Sequence, residues 1–159
     1  MADPIDIRIR DEALQRYLRQ FPDRAEGALD LALQRLAMEA ARELRRDAPK
    51  AFSTLTQSIK DDKIGDLEYE AGPHVAYAEF VVQGRQPGGR MPPLSAIADW
   101  VRVRQLGTPG KERSLAWAIA RKIATQGTPP NDFQTPVFER MEPRAQQLAV
   151  QYLRREFGV

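Results

Sequence analysis

"AEGALDLALQRLAMEAARELRRDA", residues 25–48, decides what kind of fold this chain adopts. Leu29, Leu33, Leu36, Ala40 and Leu44 recur at helical spacing, and Ala32, Ala37 and Ala41 widen the stripe. The other side carries Arg35, Glu39, Arg42, Glu43 and Arg46, with opposite charges three and four apart. Such a mixed-sign side reads first as a solvated face, with a subunit contact as the alternative. Pro49 ends the segment. A helix this long must bury its stripe against something, and the flanking sequence offers both helices and strands.

Upstream, "IDIRIR" (5–10) alternates apolar and charged side chains, the period of a strand. "DEALQRYLRQF" then places Leu14, Tyr17, Leu18 and Phe21 at helical spacing behind two acids that suit a helix N-terminus. Pro22 is expected to interrupt that helix and Asp23 to cap the next. Downstream, Leu67, Tyr69 and Ala71 alternate with Glu68 and Glu70, so 64–71 reads as a strand with one wet face. Residues 55–60 are its expected partner, with Asp61-Asp62-Lys63 as the turn. The Asp pair resembles half of a metal site but lacks further carboxylates at calcium-loop spacing, so the turn is preferred.

Residues 74–82 read as a third extended or short helical piece, with "AYAEF" (76–80) closing the sheet region. "VVQGRQPGGRMPP" follows as an adaptable loop. Leu94, Ile97, Ala98 and Val101 mark a short helix, started by Pro92-Pro93 and stopped by Gly107. Leu115, Ile119 and Ile123 mark another, ended by Gly127. A third starts at an expected Thr135 cap, with Phe138, Met141, Ala145, Leu148 and Tyr152 as its stripe. Pro143 sits inside that pattern and predicts a kink or break. The expected fold is α+β: a long N-terminal helix, a small antiparallel sheet and C-terminal helices. Residues 1–159 form a single domain with a flexible loop at 84–93.

Composition limits the chemistry. The 159 residues are 42% hydrophobic, enough for one buried core. There is no cysteine, which excludes disulfides, thiolate metal sites and a cysteine nucleophile, and His74 is the only histidine. The charged N-terminus has no signal-like apolar run, and no stretch approaches the roughly 20 apolar residues that span a bilayer. A product made in the cytosol is expected. The 24 basic and 22 acidic residues leave a net charge of +2, a balance that argues against nucleic acid as the main ligand.

"GRQPGGR" (84–90) lacks the spacing and Lys-Ser/Thr ending of a phosphate-binding loop, and Pro87 removes a donor that an anion nest would use. Arg85 and Arg90 could grip a nucleic-acid backbone, but no aromatic lies between them to stack on bases. Trp100 and Trp117 lie on helices with apolar neighbours and read as core or interface packing. No G-x-S-x-G elbow accompanies His74, which reads as a surface or hydrogen-bonded structural residue. Asp66, Glu68 and Glu70 line one strand face, where they meet water or a basic partner. Neither catalysis nor a metal nor a cofactor is expected.

From Tyr77 onward the features follow a recognisable order: "YAEFVVQG", the Gly/Pro/Arg loop, "MPPLSAIADWVR" and "AWAIARKIATQGTPPNDFQTPVFERM". This order resembles the tail-completion (neck, or head–tail joining) proteins of long-tailed bacteriophages and prophages. The matching positions are Tyr77, Ala78, Gly84, Pro92, Pro93 and Trp100, then the 118–128 segment with Gly127-Thr128, then Phe133, Pro136, Val137 and Phe138. About 65 residues are covered. One departure is Val82-Gln83-Gly84, where relatives often carry glutamate before the glycine.

The resemblance implies a non-catalytic virion adaptor that binds copies of itself in a ring, together with the head connector and tail tube, around the passing genome. It implies no membrane contact and no cofactor. Tyr77, Gly84, Arg85, Arg90, Glu68 and Glu70 are the expected partner-binding residues. A tail terminator or minor tail protein is the neighbouring alternative. A nucleic-acid module using Arg85, Arg90, Arg102, Arg104, Arg121 and Lys122 is the distinct one.

Overall fold

A computed structural model describes residues 7–49, 53–75, 78–108 and 110–159. The chain is α+β, as expected: α1 (Glu12–Gln20), α2 (Pro22–Asp47), α3 (Ser53–Ser58), β1 (Ile59–Gly65), β2 (Glu68–Pro73), α4 (Ala78–Val82), α5 (Leu94–Val103), α6 (Glu112–Gln126) and α7 (Thr135–Phe157). It divides into two bodies. One draws on residues 1–48, 56–74 and 133–159, the other on 49–55 and 75–132. No helix among the described residues is long and apolar enough to cross a membrane.

In the first body α2 packs against α7. Ala28, Ala32, Leu36, Ala40, Ala41 and Leu44 are buried on one helix and Val137, Met141, Ala145, Leu148, Ala149 and Leu153 on the other. Small side chains on both let the helices approach closely. Asp11 caps α1 by accepting from the Ala13 and Leu14 amides at 3.0 and 3.3 Å. Leu14 then fills a cluster with Ala25, Ala28 and Leu153. The helix stops before Pro22 as expected: α1 ends at Gln20, and Pro22 occupies the first turn of α2 behind Phe21, where its missing N–H costs nothing. Asp23 lies within that turn rather than capping it.

The sheet is a two-stranded antiparallel hairpin packed on α2. Its register differs from the sequence expectation. Asp61, Asp62 and Lys63 lie in β1, the turn is Asp66-Leu67, and Leu55 belongs to α3. Gly65-Asp66 supplies the turn chemistry, Leu67 takes a left-handed φ of 55°, and Ile64 is the residue at the bulge between Lys63 and Gly65. Arg45 fastens the hairpin by donating to the Ile59 carbonyl at 2.7 and 3.1 Å. Asp30 does the same further along, accepting from Lys63 Nζ at 2.7 Å and Tyr69 Oη at 3.2 Å.

Three further expectations are corrected. Residues 7–10 of the alternating N-terminal run are neither helix nor strand, and residues 5 and 6 lie outside the described chain. The Gln146 side chain bonds both backbone groups of Arg8, at 2.9 and 2.6 Å, as a neighbouring strand would. Of the two readings of 74–82 the short helix holds: residues 78–82 are helix and do not close the sheet, residues 76 and 77 lie outside the described chain, and five residues are too few for the period to decide in the sequence. Helix α7 starts behind Gln134, not Thr135, and runs unbroken through Pro143. Pro143 faces solvent, and the buried Met141, Ala145 and Leu148 hold the helix across the missing rung.

In the second body α5 and α6 pack through Ile97, Val101, Ala116 and Ala120, with Leu94, Trp100, Leu115 and Ile119 around them. The exit from α5 is closed by the Leu106 amide donating to Val101 O at 2.9 Å, over a left-handed Gln105 at φ 51°. Gly127 ends α6 as the spacing predicts.

Candidate functional site

The loop at 84–90 is held where it leaves α4. Arg85 and Thr128 form an isolated antiparallel bridge, each amide donating to the other's carbonyl at 3.0 Å. The Gly88 amide donates to Ala124 O at 2.8 Å, satisfying one of the open carbonyls at the end of α6. The Asn131 amide does likewise for Val81 O of α4 at 3.1 Å. Two glycines make this crossing sterically possible. A Cβ on Gly84 (φ 74°) would stand 2.5 Å from Thr128 O, and one on Gly127 (φ 73°) only 2.1 Å from Arg85 O. Two parts of the sequence, about forty residues apart, thus touch backbone to backbone.

The expected partner-binding residues fall in separate places. Tyr77 lies outside the described residues. Gly84, Arg85 and Arg90 come together in the loop. Glu68 and Glu70 lie on β2 in the other body, exposed and alternating with half-buried Tyr69 and Ala71. Arg85 is engaged within its own loop: it donates to Arg90 O at 2.7 Å, and its guanidinium stands 5.1 Å from the centroid of the Phe80 ring. Arg90 is exposed. His74 follows β2 on the surface, with Nε2 3.1 Å from Asp62 Oδ2 and its backbone amide donating to Ser58 O at 3.0 Å.

The mixed-charge side of α2 is not simply a solvated face. Glu39 accepts a two-pronged contact from Arg144 of α7, at 2.8 and 3.1 Å, and a third from Arg35 at 2.8 Å. Its side chain is 12% exposed. The Arg144 guanidinium, opposed by burial and helped by Arg35, holds the Glu39 carboxyl down to about 2. One turn on, Arg140 of α7 meets Glu43 and Asp47. The signal was present in the sequence: Glu39 and Glu43 are four apart on one helix, Arg140 and Arg144 four apart on the other, and antiparallel packing superposes them.

Sequence reasoning also missed the surface of α6. Trp117, read as packing, is 47% exposed with Arg121 over its ring at 5.4 Å. The spacing of Arg113, Trp117 and Arg121, four by four, would have shown that these share a face. Among the described residues no group of three His, Asp or Glu side chains is placed to hold a metal ion. A cavity of about 150 Å³ in the first body is lined by Ile9, Leu18, Leu29, Leu33 and Ala149 among other apolar residues. It offers no polar group to orient a ligand. Compared with known protein families, curated proteins and solved structures, the chain matches none.

Proposed function

We propose that this chain is a structural adaptor of the neck of a long-tailed phage, joining head connector to tail and assembling as a ring in the virion. The observation that carries the reading is the crossing of Gly84-Arg85 with Gly127-Thr128. Gly84, Gly127 and Thr128 are among the positions that carry the resemblance, and their close contact supplies a physical reason for both glycines to stand where they do. A ring needs two different faces on each subunit. The exposed stripe of Leu31, Met38 and Arg42 on α2 is one, at 54% and 48% exposure for the two apolar residues. The exposed Glu68 and Glu70 of β2 are the other, opposite in charge to Arg42.

Electron microscopy and light scattering of the protein, alone and mixed with connector and tail-tube proteins, test this. Ring-sized particles are expected, and Leu31→Asp with Met38→Asp should return the chain to a monomer of unchanged helical content. A chain that stays monomeric with both partners present would sink the reading.

A further inference from the structure

The near-zero net charge of the chain is an average over two unlike halves. Residues 49–55 and 75–132 hold nine lysines and arginines against four acids, a net +5, while the remainder holds fifteen against eighteen, a net −3. The cations are also placed differently. In the first body more than half of the lysines and arginines pair with carboxylates, Arg24–Glu156, Arg144–Glu39, Arg140–Asp47 and Arg154–Asp11 among them, although Arg10, Arg16, Arg42 and Arg155 have no such partner among the described residues. In the second, Arg90, Arg104, Lys111, Arg113, Arg121 and Lys122 have no carboxylate partner among the described residues.

Three of those six lie on one helix. The buried side of α6 is Ala116 and Ala120, flanked by half-buried Leu115, Ile119 and Ile123. Its outer arc is Arg113, Ser114, Trp117, Ala118, Arg121 and Lys122, all exposed, with three positive charges and no acid. Glu112, the one acid of α6, points to the other side by helical geometry and accepts from the Gly110 amide at 3.0 Å. Trp117 is 47% exposed, with the Arg121 guanidinium 5.4 Å from its ring centroid.

We propose that this face of α6 binds the phosphate backbone of a nucleic acid, with Arg113, Arg121 and Lys122 on phosphates and Trp117 against an unpaired base. Arg113 and Arg121 are separated by about 12 Å along the helix, the rise of three to four nucleotides of a duplex strand at roughly 3.4 Å each. Cations without carboxylate partners beside a half-exposed aromatic ring are what a stacking, salt-sensitive nucleic-acid surface requires, and Arg121 leaves the ring for a phosphate when a base stacks there. Arg85 and Arg102 are not part of the face: Arg85 lies in the 84–90 loop and donates to Arg90 O at 2.7 Å, and Arg102 pairs with Asp99. The proposal is independent of the neck reading: a monomer that binds nucleic acid removes the ring and keeps this face, and a ring indifferent to nucleic acid does the reverse.

The test is fluorescence anisotropy of the full chain with a labelled single-stranded oligonucleotide and, separately, the duplex. Three phosphate contacts predict an affinity for duplex that falls about 40-fold between about 50 and 200 mM salt. Arg113→Gln/Arg121→Gln/Lys122→Gln should abolish that salt dependence and weaken binding at least tenfold, while the corresponding lysine changes at 113 and 121 keep it within about threefold. Trp117→Ala should weaken the single strand about tenfold and the duplex little. Arg85→Gln should change neither. No binding at low salt, a glutamine variant that binds like the parent, or a lysine variant as weak as the glutamine one would each overturn the proposal. So would a glutamine variant that loses only self-association, which would mark the face as a protein contact.

Discussion

Gly127 is the residue on which the second body depends most sharply. Its φ of 73° and ψ of −171° lie where only glycine is comfortable, and the space for a side chain is already taken by Arg85 O. Strain and collision act together, so Gly127→Ala should cost roughly 3 kcal/mol, an estimate set by backbone strain plus a forced shift. Urea unfolding followed by the fluorescence of Trp100 and Trp117 would show it; a cost under about 1 kcal/mol would mean the crossing opens easily. That Gly127 ends a helix was legible from the periodicity of Leu115, Ile119 and Ile123. That it must also let another strand pass was not, because close approach is a property of two distant segments and leaves no trace in either alone.

Among the elements, the α2–α7 pair makes a defined contribution to the pH dependence of the fold. The Glu39 carboxyl sits at about 2 in the folded chain against 4.5 when unperturbed. A depressed carboxylate contributes stability above its unfolded value and loses it as pH falls through the folded one. The window therefore runs from about 4.5 down to about 2. Glu39→Gln should be less stable by on the order of 2 kcal/mol at neutral pH, after allowing for water at the edge of the pair. The gap to the parent should close as the pH of urea titrations is lowered from 5 to 2. A constant gap would place the loss in packing instead. Asp11 and Asp47 are shifted the same way, the first chiefly by Arg154 and the second by Arg46 and then Arg140, so both proteins weaken in acid.

Long elements were the readable ones. Residues 25–48 show more than six turns of periodicity, and only one structure buries that stripe. The hairpin was misplaced because alternation over 67–71 fixes the faces but not where pairing begins, and the turn at Asp66-Leu67 uses a left-handed leucine that no turn rule favours.

At the scale of the whole molecule, the net charge hides how the charges are distributed. The net +2 argues against a polyanion only if charge is spread evenly, and here one body is basic and the other acidic. Of the expected partner residues, Glu68, Glu70 and Arg90 are exposed and Gly84 and Arg85 half-buried; a sequence does not show which cations its own fold has already engaged. The Arg85–Thr128 bridge has a further consequence. Everything from Gln86 to Gly127, including α5 and α6, leaves and re-enters the chain through one doorway two backbones wide. The segment is topologically an insert, and a lineage could gain, lose or exchange it without rethreading anything else. Splicing an Asn-Gly turn between Arg85 and Thr128 should give a shortened chain whose first body still unfolds cooperatively and keeps its Glu39-dependent acid transition. Loss of that transition on circular dichroism would show that the insert had become indispensable to its host.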